Sequence, residues 1–140
     1  MSLPLWMLLA FALWTLAVLA AGVGVGRWAL ILRGRAGPAS FPGDEPHGSP
    51  AYRRATRAHA NCVENLPVFA AIVLTAAVAR LDPPGFGALA VAVMGARVCQ
   101  TLVHMVWPVS DRTVSFRFAF FFLQLLAMTA MAVQLALAAG

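Results

Sequence analysis

The sequence predicts an all-α membrane protein, a bundle of four transmembrane helices running up and down. Three observations predict it. The 140 residues are 61% hydrophobic and only 11% charged, where a soluble domain carries about 25% charged residues. Four apolar runs, 3–26, 58–79, 85–107 and 116–139, each reach the length of about 20 residues that a spanning helix needs. The connections after the second and third runs are short, which favours antiparallel neighbours. Little chain lies outside the runs, so 1–140 reads as a single four-span domain.

The first span is expected over 4–32. No basic residue precedes it, and its uncharged stretch exceeds a signal-peptide apolar region of about 7–15 residues. It therefore reads as a retained helix. Its Gly22-Val23-Gly24-Val25-Gly26 run allows a neighbouring helix to come close. Residues 33–49 form a loop rich in Gly, Pro and charge, the one segment expected to move. Ser49-Pro50 reads as a cap followed by proline at the first helical position, so the second span is expected over 50–80. At 1.5 Å per residue it is about 45 Å long, more than the hydrocarbon core of about 30 Å. Its first turns, with Arg53 and Arg54, should stand in water. Pro67 removes a helix hydrogen bond and is expected to kink the span. Residues 81–85 make a tight turn. The third span is expected over 86–107, ended by Pro108, with Trp107 as an interfacial anchor. The fourth is expected over 111–138, capped by Ser110 or Asp111.

Charge sets the orientation. Every basic residue outside the histidines is arginine. Arg27, Arg33, Arg35, Arg53, Arg54 and Arg57 surround the first connection, and Arg112 and Arg117 stand at the third. Only Arg80, beside Asp82, marks the second. Positive residues stay inside, so connections one and three are expected in the cytoplasm and both termini outside. Charge held at a membrane surface makes nucleic acid an unexpected partner. Cys62 and Cys99 read as small buried apolar residues. No metal motif, phosphate loop or serine elbow is present.

Two polar constellations could carry chemistry. On a helix at about 100° per residue, Arg53, Arg57, Asn61 and Glu64 fall on one stripe. A charge at the bilayer centre costs about 2.5–3.5 kcal/mol on insertion scales, so the stripe must face protein, water or a ligand. In the third span Arg97, Gln100 and His104 share a face. Glu64 is the one carboxylate within the four apolar runs, which makes it the natural ion-pair partner of Arg97. The pair reads either as a strut between helices or as part of a site for a polar ligand. His59 faces away from the stripe and reads as a packing residue. Arg112 sits in the first turn of the fourth span. A helix start carries partial positive charge and free N–H groups, so a cation there stabilises a carboxylate or a thiolate. It reads equally as a topology charge on lipid phosphate.

The signature Arg57-Ala58-His59-Ala60-Asn61-x-x-Glu64, followed by Arg97-Val98 and Arg112-Thr113, resembles the MAPEG superfamily, membrane-associated proteins in eicosanoid and glutathione metabolism. Within it the chain resembles a bacterial-type microsomal glutathione transferase. The resemblance covers the second to fourth spans. It implies a homotrimer in a cell inner membrane, with glutathione as co-substrate bound between subunits in the cytoplasmic half. It implies that Asn61 and Glu64 contact the tripeptide, with Glu64 meeting the γ-glutamyl amine, and that Arg57 lies near its carboxylates. Arg112 would stabilise the thiolate as the catalytic residue, and Thr113 keeps the hydroxyl that follows it in most members. Arg97, Gln100 and His104 complete the expected binding set. Gln100 and His104 stand where prostaglandin E synthase-like members have histidine and tyrosine, and Phe116 replaces a tyrosine of the fourth helix. The chain has one tyrosine, Tyr52, so activation would rest on Arg112 and the helix end. The expected function is a glutathione transferase or peroxidase for lipophilic electrophiles or hydroperoxides, with membrane lipid and a lipophilic small molecule as partners. The alternatives are a non-catalytic member that binds lipid or a partner protein, and a small four-helix exporter.

Overall fold

A computed structural model describes residues 1–42 and 47–139. Residues 43–46, part of the loop expected to move, lie outside the described residues. The chain forms a four-helix membrane bundle: α1 (Leu3–Leu32), α2 (Pro50–Ala79), α3 (Phe86–Val106) and α4 (Asp111–Ala139). All four are long and apolar enough to cross a membrane. One 3-10 turn, Pro38–Ser40, lies in the first connection.

Local chemistry sets the helix ends. The Ser49 hydroxyl accepts from the Tyr52 amide at 3.2 Å and Pro50 follows it, so α2 begins where the cap signal stands. At α4 the Ser110 hydroxyl accepts from the Thr113 amide at 3.3 Å, and the Thr113 hydroxyl accepts from the Ser110 amide at 2.9 Å. This reciprocal cap selects Ser110 over Asp111. Trp107 is extended, at φ −95° and ψ 142°, as a residue before proline must be; it ends α3 and stays exposed. Arg80 does not continue α2. It takes the left-handed conformation at φ 57°, a place usually given to glycine. Pro67 lies inside α2, which continues through it as one helix.

α1 is not uniform, since Val18–Gly24 is wound as a π-helix. This is where the glycine run begins. A Cβ on Gly22 would stand 3.0 Å from the Ala55 Cβ and 3.1 Å from the Met105 Cε. Glycine therefore lets α1 touch α2 and α3 there, as the sequence suggested. The interior is filled by Phe11, Phe69, Val73, Phe86, Ala90, Val93 and Met131, with the Phe11 and Phe69 rings 5.9 Å apart. Outside, Trp6, Leu13, Leu16, Val78 and Leu137 are exposed, as lipid-facing side chains should be. Cys62 is buried as expected, but Cys99 is exposed on this outer surface: it adjoins the buried Gln100 and so points away from the interior.

Candidate functional site

The buried face of α2 carries Ala55, Ala58, Cys62, Phe69, Val73 and Ala76. These recur every three or four residues, so this face meets the bundle. Asn61 lies at the edge of that face. Glu64, two residues beyond Cys62, is turned about 200° from it and is exposed. The expected Arg97–Glu64 pair therefore does not form. Arg97, only 1% exposed, donates from Nη1 to the Asn61 Oδ1 instead. Its guanidinium lies over the Phe11 ring, 5.1 Å from the centroid, a cation–π contact. Around it the Thr101 hydroxyl donates to the Arg97 carbonyl at 2.8 Å, and the Cys62 Sγ lies 3.6 Å from that hydroxyl.

A cavity of about 730 Å³ opens beside this cluster. Its polar wall is Arg53, Arg54, Arg57, Asn61, Gln100, His104 and Arg117. Its apolar wall is Val109, Val114, Phe118 and Phe121, with Pro50 and Pro108 at the rim. Arg54 is held by a bond from its Nε to the Met105 carbonyl at 3.3 Å, tying the start of α2 to the end of α3. Arg117 reaches from α4 to the His104 ring, with Nη1 at 3.2 and 3.3 Å from its two nitrogens. Behind them, Gln124 Nε2 donates to the Gln100 Oε1 at 3.0 Å, and Gln100 Nε2 donates to the Arg117 carbonyl at 3.2 Å. Gln124 and Gln100 thus brace the backbone from which Arg117 projects.

The structure divides the expected site residues. Arg57, Asn61, Gln100 and His104 line the cavity. Arg97 stands behind Asn61 and forms no part of the wall. Glu64 and Arg112 are exposed and outside it. Thr113 spends its hydroxyl on the α4 cap, donating toward the carbonyls of Ser110 at 2.9 Å and Pro108 at 3.0 Å. Tyr52 is engaged elsewhere, accepting from the Arg27 Nε, with the Arg27 guanidinium 5.2 Å from the Phe41 ring centroid.

Arg117 and Gln124 were not among the expected site residues, and a signal existed. They lie seven apart, hence on one face, in a span otherwise dominated by Phe, Leu and Ala. The wall holds four arginines and no carboxylate. Such a wall suits a ligand with several anionic groups, and the Phe and Val side suits an apolar body. Among the described residues, no group of three or more His, Cys, Asp or Glu is placed to hold a metal.

No curated protein and no solved structure matches the chain. The MAPEG family model matches residues 4–137, which takes in nearly the full length of the four spans and every wall residue of the cavity. With the four-helix membrane bundle, and with Arg57 and Asn61 of the α2 signature lining the cavity, the chain belongs to the MAPEG family.

Proposed function

We propose that this chain is an integral-membrane glutathione transferase, or glutathione-dependent peroxidase, for lipophilic electrophiles or hydroperoxides. MAPEG proteins include membrane glutathione transferases and peroxidases and eicosanoid enzymes. The observation that carries the reading is the cavity itself. Arg53, Arg57 and Arg117 face an apolar wall across a space of about 730 Å³, a volume typical of small-molecule sites. Glutathione supplies two carboxylates for the arginines, and a lipophilic acceptor lies against Val114, Phe118 and Phe121. The arginine distribution favours the cytoplasmic side for this end.

Glu64 and Arg57 are exposed on the single chain. A charge facing acyl chains is costly, which supports a homotrimer in which neighbouring copies cover this face and share the ligand. There Glu64 meets the γ-glutamyl amine, and Arg112, exposed in the first turn of α4, reaches the thiol across the boundary. The cation and the helix start together favour the thiolate. Its sulfur attacks an electrophilic carbon, forming a C–S bond as the leaving group departs with the bonding pair or a ring opens. With a hydroperoxide it attacks the distal oxygen. The O–O bond breaks, an alcohol leaves after protonation, and the sulfenic acid condenses with a second glutathione to disulfide and water.

A non-catalytic lipid- or partner-binding role is the second reading. It is favoured by Arg112 lying outside the cavity of its own chain and by the engagement of Tyr52 with Arg27. Purified protein in detergent decides between them. The first reading expects glutathione binding together with conjugation of a generic electrophile or reduction of a lipid hydroperoxide. Binding without turnover supports the second reading. Loss of both, with proton-coupled efflux of lipophilic cations, supports the exporter.

A further inference from the structure

Arginine carries five N–H donors and no acceptor. Its bond to Asn61 therefore determines which way the carboxamide is turned, because the reversed amide would set donor against donor. With Oδ1 held by Arg97, Nδ2 must face the other way, and Asn61 lines the cavity. The Asn61 backbone carbonyl is already taken by Asn65 Nδ2 at 2.8 Å. Among the described residues Nδ2 itself makes no hydrogen bond, and it remains open to a ligand.

A second observation bears on Arg97. Its Nε and Nη2 are buried with no oxygen or nitrogen acceptor, leaving the Phe11 ring and the Cys62 thiol as the guanidinium's neighbours there, and its side chain is only 1% exposed. A cation so placed is expensive, and an aliphatic side chain would fill the same space without that cost. Packing alone does not account for an arginine at this point.

We propose that Arg97 is a positioning residue. It locks the Asn61 carboxamide with Nδ2 turned into the cavity, so the group received there is a hydrogen-bond acceptor. For glutathione this means a carboxylate or a peptide carbonyl, and not the ammonium. The identity of the ligand rests on the glutathione reading; the lock itself does not. The cavity wall then presents donors at Asn61, Arg53, Arg57 and Arg117, with no carboxylate among them. With no carboxylate in the wall, the ammonium of the tripeptide finds its opposite charge outside it, where Glu64 stands exposed.

Glutathione affinity and melting temperature of the full chain in detergent test the proposal. N61D keeps an oxygen for Arg97 and loses the donor. Its affinity should fall about tenfold or more, while its melting temperature rises, because a carboxylate bonds the guanidinium more strongly than an amide does; the absence of a rise counts against the lock. R97K keeps a donor-only side chain and should stay within about threefold of the parent. R97M frees the amide to turn and should lose about tenfold, but nothing further in an N61A background. Parent-like binding by N61D overturns the proposal, as does an R97M loss that persists undiminished with N61A. If R97M does not fold, N61D and R97K carry the test alone. If the parent itself binds no glutathione, the functional reading fails separately, and stability then judges the lock. The thermal gain of N61D should shrink or vanish in R97M, or in R97Q where R97M does not fold, and an equal gain with and without Arg97 overturns the lock.

Discussion

The two ends of the bundle are held together by different forces. At one end Phe69, Val73, Phe86, Ala90, Met131 and Leu135 fill the interior with apolar side chains. At the other, Arg97, Gln100, Thr101 and Gln124 are buried and joined by hydrogen bonds to Asn61, Cys62 and the Arg117 backbone. Lipid tails are as apolar as leucine, so no hydrophobic force draws helices together within a bilayer. The apolar end must therefore be held by close fit. The polar end is held by directed bonds, and those bonds also aim side chains at the cavity. Substitutions at the first end should change stability and leave ligand binding intact. At the second, substitutions of the cavity-lining arginines should weaken binding with little change in stability, whereas the buried bonded residues behind them serve both.

The largest expected effect is at the polar end. Arg57→Ala combined with Arg117→Ala removes two of the four cavity arginines. Each charge-assisted contact is worth about tenfold in affinity, so the pair should cost about a hundredfold, with little change in melting temperature. Equilibrium dialysis with labelled glutathione reads this directly. A loss of fold rather than of affinity would erase the distinction between the ends.

Next comes Phe86→Ala. This side chain is 1% exposed in the apolar core. In lipid the loss is the packing share alone, about 2 kcal/mol, read as a lower melting temperature in detergent. The remaining folded protein should bind glutathione as the parent does. A smaller destabilisation, about 1.5 kcal/mol, is expected from Gly22→Val, because its Cβ would meet Ala55 and Met105 at 3.0 and 3.1 Å. Arg54 bonds to the Met105 carbonyl, so this variant should also weaken binding slightly, and a wholly unchanged affinity would separate the helix crossing from the site. Smallest is Arg80→Gly, which relieves a left-handed arginine at φ 57°. It should raise stability by about 0.5 kcal/mol and leave binding untouched; a fall in melting temperature would assign the Arg80 side chain a role of its own.

The architecture was largely legible in the sequence because its signals are local. Four apolar runs and the Ser49-Pro50 cap mark helices without knowledge of any neighbour. The start of α4 was less legible, because the choice of Ser110 over Asp111 depends on the reciprocal bond with Thr113. The site was half legible. Arg57, Asn61, Gln100 and His104 share faces that helical spacing reveals, and they do meet at one cavity. Charge alone pairs Arg97 with Glu64, but the side of α2 that meets α3 decides the partner. The buried run Ala58, Cys62, Phe69 places Glu64 on the opposite side. Arg117 was hidden because a basic residue at a helix start reads first as a topology charge. Arg112 lies outside the cavity of its own chain, and the role proposed for it needs a second copy, which the sequence of one copy does not position.

The most direct test of the account is the thiolate absorbance of bound glutathione, followed in the ultraviolet against pH. A free thiol titrates near 8.5. Bound to the parent, glutathione should titrate at least about one unit lower, since a cation and a helix start act on it together. Phe86→Ala, at the apolar end, should preserve that shift, and Arg112→Ala should abolish most of it while leaving affinity nearly unchanged. If bound glutathione titrates like the free thiol, or at the same lowered pH with and without Arg112, the polar end binds the tripeptide without activating it, and the catalytic account is contradicted.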